Sequence, residues 1–178
     1  MLILICGLPC TGKSKLSRQL SHELGATWLR SDKFREVMFP DQTRPEAGEQ
    51  KLYPQSHRIA KNKAMVFAAE ILLNEGKQVI IDSNLSSKSS RACFYELASD
   101  LNIDLFIIQC SVPEEIAKEW IEKRIEKHID SRFKIASYEV YKKKKEKFEV
   151  FDKEVLKIDM QRPIESVLID VKNYLGVE

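Results

Sequence analysis

The chain has 178 residues, 43% of them hydrophobic and 31% charged, which excludes a disordered or collagen-like polypeptide. Lys+Arg exceed Asp+Glu by only 29 − 27 = 2, so composition gives no ground for a nucleic-acid or membrane partner. At roughly 150 residues per domain, one compact unit over 1–178 is expected, burying about 70% of its unfolded surface. The four cysteines (Cys6, Cys10, Cys93, Cys110) form no CxxC pair and no zinc-ligand spacing. The apolar run at 1–6 is too short for a signal-peptide core or a membrane span. Free thiols, a cytoplasmic location and no membrane partner are the expectation.

In chain order, the continuous apolar run at 2–6 (LILIC) reads as a strand buried on both faces. A helix follows over 13–24, closed by Gly25 as its C′ residue. Residues 26–30 read as a second strand, after which Ser31-Asp32 offers an N-cap to a short helix ending before Pro40. Residues 40–54, with Pro40, Pro45, Gly48 and Pro54, read as a long loop of the functional or mobile kind. A long helix over 56–75 ends at Gly76, and 78–81 is a third strand finishing at Asp82. A helix over 87–101 and a strand over 105–110 come next. Ser111-x-x-Glu114, with Pro113 inside, has the form of a capping box. The helical pattern breaks over 126–136 and resumes from about 137; a last strand is expected at 155–158 and a closing helix at 164–175.

This alternation predicts a three-layer α/β fold, a mostly parallel five-stranded sheet with helices on both faces and right-handed crossovers. Ligands in such sheets bind at the carboxyl ends of the strands. The polar residues of interest fall there: 7–14 after the first strand, Asp32 after the second, Asp82 after the third.

Gly7, Leu8, Pro9, Cys10, Thr11, Gly12, Lys13 and Ser14 fit GxxxxGK[ST] at every fixed position, between an apolar strand and a helix. The glycines let the backbone close into a ring of N–H donors around phosphate, and the helix N-terminus adds positive potential. Lys13 would then place its charge on the β- and γ-phosphates, Ser14 would reach Mg²⁺, and Lys15 completes the nucleotide cradle. No Asn-Lys-x-Asp guanine-reading tetrad occurs, since 62–65 only begins like one inside a helix. ATP with Mg²⁺ is the expected ligand.

Two further segments bear on the fate of the γ-phosphate. Asp32, at the end of the second strand, would face it across the crevice and could take a proton from an attacking hydroxyl. Arg35, one helical turn on, could grip a phosphate or carboxylate on the acceptor. The alternative is that Asp32 caps the helix and Arg35 is solvated. Asp82 resembles a Walker B carboxylate holding Mg²⁺ directly or through water; it could instead pair with Arg35, or merely end a strand. Ser83 and Asn84 could add acceptor hydrogen bonds.

On these residues the chain resembles the P-loop kinases that include the kinase domain of phage polynucleotide kinase and the zeta-toxin-like kinases, an AAA-type ATP-binding group. The resemblance runs through 7–14, Asp32-x-x-Arg35, Asp82-Ser83-Asn84-Leu85 and the helix–interruption–helix at 113–148. It implies that Asp32 is the general base, Arg35 the acceptor clamp and Asp82 the carboxylate that positions the arginine. It also implies a mobile lid over about 113–148, whose arginine neutralises the transferring phosphoryl group. Arg124 is the best placed for this. Lids of this kind often carry a second arginine one turn earlier, but Trp120 stands there, leaving Lys127, His128 or Arg132 as substitutes.

The implied activity is transfer of the γ-phosphate to an acceptor hydroxyl, foremost the 5′-hydroxyl of a polynucleotide, a single-stranded end included. The alternatives are a sugar, nucleoside, antibiotic or amino-acid-like hydroxyl, or a nucleotide-binding switch without an acceptor. Protein partners are not indicated. The lysines at 142–145, offset by Glu139, Glu146 and Glu149, read as a solvated helix rather than a nucleic-acid patch. His22 and His57 have no evident partner, and Trp28, Phe67 and Phe106 read as core.

Overall fold

Alternating faces of one strand organise the molecule. In the computed structural model, which describes residues 1–40, 54–127 and 137–177, β1 (Leu2–Cys6) is buried at every position. Leu2, Leu4 and Cys6 point to one side of the sheet, Ile3 and Ile5 to the other, as the period of two requires. The remaining strands are β2 (Thr27–Arg30), β3 (Val79–Asp82), β4 (Leu105–Ser111) and β5 (Leu156–Asp159). They form one sheet in the order β2-β3-β1-β4-β5, every pairing parallel.

Seven helices are described: α1 (Lys13–Leu24), α2 (Ser31–Met38), α3 (Gln55–Asn74), α4 (Lys88–Asp100), α5 (Glu114–Lys127), α6 (Tyr138–Glu146) and α7 (Ile164–Leu175). Met65, Ala69 and Leu73 of α3 and Phe94, Leu97 and Ala98 of α4 cover the Leu2/Leu4 face. Leu16 and Leu20 of α1 and Val167, Val171 and Leu175 of α7 cover the Ile3/Ile5 face. The expected three-layer α/β fold is the one found, and the strand and helix bounds agree with the apolar periodicity to within a residue or a few.

Three local expectations are corrected. Ser111 does not cap α5: it closes β4, its hydroxyl donates to the Ile158 carbonyl at 3.1 Å, and the helix begins at Glu114. Neither Ser31 nor Asp32 is the N-cap of α2, because β2 runs directly into the helix, Arg30 takes the cap position and no side chain closes it. Phe67 is 65% exposed rather than core. The buried stripe of α3 is Lys61, Met65, Ala69 and Leu73, and a residue two places from Met65 is turned about 200° away from it. The 40–54 loop lies, apart from its two end residues, outside the described residues, as does 128–136.

Candidate active site

The C-terminal end of β1 lies between β3 and β4, where the direction of the crossovers reverses, the place at which open α/β sheets bind their ligands. Gly7 leaves the strand there with φ 139°, and a Cβ at this position would stand 2.3 Å from the Cys110 carbonyl oxygen. Only glycine fits. The loop continues through two more positive-φ residues, Cys10 at 59° and Gly12 at 83°, before α1 begins at Lys13. Its shape is held by the Thr11 hydroxyl donating to the Leu8 carbonyl at 2.9 Å and by the Gly7 amide donating to the Asn84 carbonyl at 3.3 Å. Lys13 Nζ also donates to the Leu8 carbonyl, at 2.6 Å, so the lysine lies folded over the loop it serves. Lys15 is exposed on the first turn of α1.

Ser14 Oγ donates to Asp82 Oδ2 at 2.7 Å, and Trp28 Nε1 donates to the same oxygen at 3.3 Å. Asp82 is 5% exposed. Burial pushes its carboxyl above the usual range, while the Lys13 charge and the Ser14 and Trp28 hydrogen bonds pull it back. A hydroxyl and a carboxylate side by side are a hard oxygen pair suited to Mg²⁺, which takes one or two protein ligands and completes its shell with phosphate and water. No cluster of three or more His, Cys, Asp or Glu able to hold a metal occurs among the described residues.

Asp32 lies in the first turn of α2 and Arg35 one turn on, both carried to the C-terminal edge of the sheet by the β2–β3 register that sets Arg30 opposite Asp82. Arg35 Nη1 donates to Asp32 Oδ1 at 2.7 Å. The arginine therefore pairs with the carboxylate in its own helix, while Asp82, implied by the resemblance as its partner, faces Ser14 and Trp28. The Asp32 side chain is 47% exposed, and its charge is felt at Asp82.

Arg124 is exposed near the end of α5. Ala117, Ile121 and Tyr141 form a small core against Leu8 and Cys10, so α5 and α6 rest on the phosphate loop itself. Glu114 ties the two helices, accepting from Tyr138 Oη and Lys145 Nζ, each at 2.5 Å. Trp120 packs into the core shared with α1 and α7. His128 and Arg132 lie outside the described residues, and Lys127 is exposed. His57 stacks on Phe39 with ring centroids 4.1 Å apart.

Two buried cations went unnoticed in the sequence. Lys61 reaches from α3 to Ser83 Oγ at 3.3 Å; burial first, then the Arg35 charge, pushes its ammonium down to about 8. Arg91, fully buried in α4, donates to the carbonyls of Leu85 (3.0 Å), Glu149 (3.3 Å) and Val150 (2.8 Å) and lies over the Phe151 ring. The signal for both was helical spacing: Lys61 is four residues before Met65, and Arg91 three before Phe94.

The chain is 27% identical over 139 residues to Uncharacterized protein Rv2004c of Mycobacterium tuberculosis, covering 76% of this chain and 28% of that one. It thus spans under a third of the length of the curated relatives it matches. In fold it is similar to a sugar kinase from Janibacter sp. HTCC2649, with TM-score 0.74, 12% identity and coverage of 99% of this chain and 94% of that one. It is also similar to a chain of the Pnkp1/Rnl/Hen1 RNA repair complex, with TM-score 0.64, 21% identity and coverage of 83% and 43%. The fold is therefore one used by P-loop kinases. The AAA domain family model matches residues 2–150, most of the sheet and the whole phosphate loop, and the chain belongs to that family.

Proposed function

We propose that the protein is an ATP-dependent kinase, with 1–178 working as one unit and α5 and α6 as its lid. The observation that carries this reading is a half-exposed carboxylate, Asp32, at the same sheet edge as the phosphate loop and within the electrostatic reach of Asp82. The loop amides and Lys13 hold the triphosphate, Lys13 exchanging the Leu8 carbonyl for phosphate oxygens. Ser14 and Asp82 hold Mg²⁺, which when bound neutralises charge on the β- and γ-phosphates. Asp32 accepts the proton of the acceptor hydroxyl as its oxygen attacks phosphorus, and Arg35 holds the acceptor. Arg124 adds positive charge to the transferring group when the lid closes.

The favoured acceptor is the 5′-hydroxyl of a polynucleotide. Asp32-x-x-Arg35 and 82–85 support it through their resemblance to the polynucleotide kinases, and so does the likeness to the RNA repair chain. A small-molecule hydroxyl is the second reading, favoured by the near-neutral net charge of +2 and the nearly complete overlap with a sugar kinase.

The test is transfer from γ-labelled ATP to a panel of 5′-hydroxyl oligonucleotides, nucleosides and sugars. Asp32→Ala should bind ATP normally and lose about 10²-fold or more in transfer. Undiminished turnover in that variant rejects Asp32 as the base; hydrolysis without any labelled product across the panel rejects the kinase.

A further inference from the structure

The face that α3 turns to the sheet carries Lys61, Met65, Ala69 and Leu73. Three of the four are apolar, yet the first is a lysine only 6% exposed. Its ammonium has three protons to donate and, among the described residues, one hydrogen-bond partner, the neutral Ser83 hydroxyl at 3.3 Å. Burying such a group is unfavourable unless an opposite charge meets it. Among the described residues Arg35 and Arg58 repel Lys61, Asp32 and Cys93 attract it, and Asp32 also holds Arg35 at 2.7 Å.

The position is informative as well as the charge. Ser83 follows Asp82 at the end of β3, and Asp82 holds Ser14 of the phosphate loop. Lys61 therefore meets the residue after Asp82 and lies within the electrostatic reach of the Asp32–Arg35 pair. A point charge and a planar guanidinium on one side of a crevice are complementary to a small anion.

We propose that Lys61 is an acceptor-binding residue, forming with Arg35 a two-cation clamp for an anionic group that the acceptor carries beside its reactive hydroxyl. The group is a phosphate, sulfate or carboxylate. This rests on the kinase reading above and adds to it both a residue and a charge requirement. The depressed basicity of Lys61 agrees with a site built for an arriving anion.

The test uses the full chain saturated with Mg²⁺ and AMP-PNP, which fills the loop through the γ-position. Inorganic sulfate is titrated in and compared with chloride at equal ionic strength by thermal unfolding. Wild type should show a saturable, sulfate-specific gain. Lys61→Met should bind AMP-PNP as wild type does while its sulfate affinity falls about tenfold or more, and Lys61→Arg should restore it. In transfer reactions wild type should prefer adenosine 3′-monophosphate to adenosine, and Lys61→Met should lose the preference. No sulfate-specific gain in wild type, or unchanged sulfate affinity in Lys61→Met, overturns the proposal. Should Lys61→Met fail to bind AMP-PNP, the wild-type sulfate gain and acceptor preference decide by themselves. A Lys61-dependent sulfate site in a chain that phosphorylates no acceptor would leave the anion clamp standing and remove the kinase.

Discussion

Gly7 and Gly25 both have positive φ but differ in what surrounds them. At Gly25 a Cβ would meet nothing within 4 Å, whereas at Gly7 it would overlap the Cys110 carbonyl. Gly25→Ala should therefore cost about 1 kcal/mol, the strain of the left-handed conformation. Gly7→Ala should cost about 3 kcal/mol or more in urea unfolding and weaken ATP binding, because the loop must shift to admit the methyl. Lys61 gives a second prediction at this scale. Its folded-state value near 8 lies below the ordinary lysine value, so from about pH 8 to about 10.4 the unfolded chain holds the extra proton. Stability owed to Lys61 is thus lowest below pH 8 and recovers as pH rises through that window. The groups acting on it are Arg35, Asp32, Cys93 and Arg58. Lys61→Met should be more stable than wild type at pH 7, on the order of 2–3 kcal/mol, with the difference shrinking by pH 10. A difference that stays flat with pH would show that the ammonium is not desolvated.

Single elements owe their positions to a few polar anchors. The segment returning from α6 to β5 has little apolar surface of its own, and Arg91 of α4 holds it through the Glu149 and Val150 carbonyls. The same guanidinium binds Leu85, whose φ is 44°, in the turn that follows Asp82 and Asn84. The Glu149 amide donates to the Ser86 carbonyl at 2.9 Å, and its carboxylate accepts from the Lys88 amide at 2.5 Å. Arg91 is therefore a strut between the segment that precedes β5 and the loop beside the phosphate site. Arg91→Met strands three buried carbonyls and should destabilise by about 3 kcal/mol or more. Amide hydrogen exchange should accelerate at Ser86–Lys88 and at Glu149 together, since one anchor serves both. Independent rates at the two segments would argue against a shared anchor. Ser111 shows the opposite lesson at this scale: its spacing to Glu114 matches a capping box, but the parallel partner β5 offers a carbonyl, and the sheet takes the hydroxyl.

For the molecule as a whole, the near-neutral charge makes the acceptor's salt dependence diagnostic. A polynucleotide meeting several cations should lose affinity steeply with salt, whereas an acceptor held by Lys61 and Arg35 alone should show a shallow slope. Acceptor KM measured from 50 to 200 mM salt separates the two. No described helix is long and apolar enough to cross a membrane. The layer order, the glycines of the phosphate loop and the extents of most helices were legible from residue order, because apolar periodicity and positive-φ turns act over a few neighbouring residues. The partners of the charged groups were not. Asp82 and Ser14 are 68 residues apart, and nothing local says that this carboxylate takes the loop hydroxyl while Arg35 stays with Asp32. Lys61 and Arg91 look like ordinary surface residues until the sheet and its neighbours enclose them. Residue order by itself determined the phosphate loop and the layers around it. The tertiary structure alone decided which charges are buried and what they face, because desolvation and Coulomb energies depend on neighbours that only the folded chain brings together.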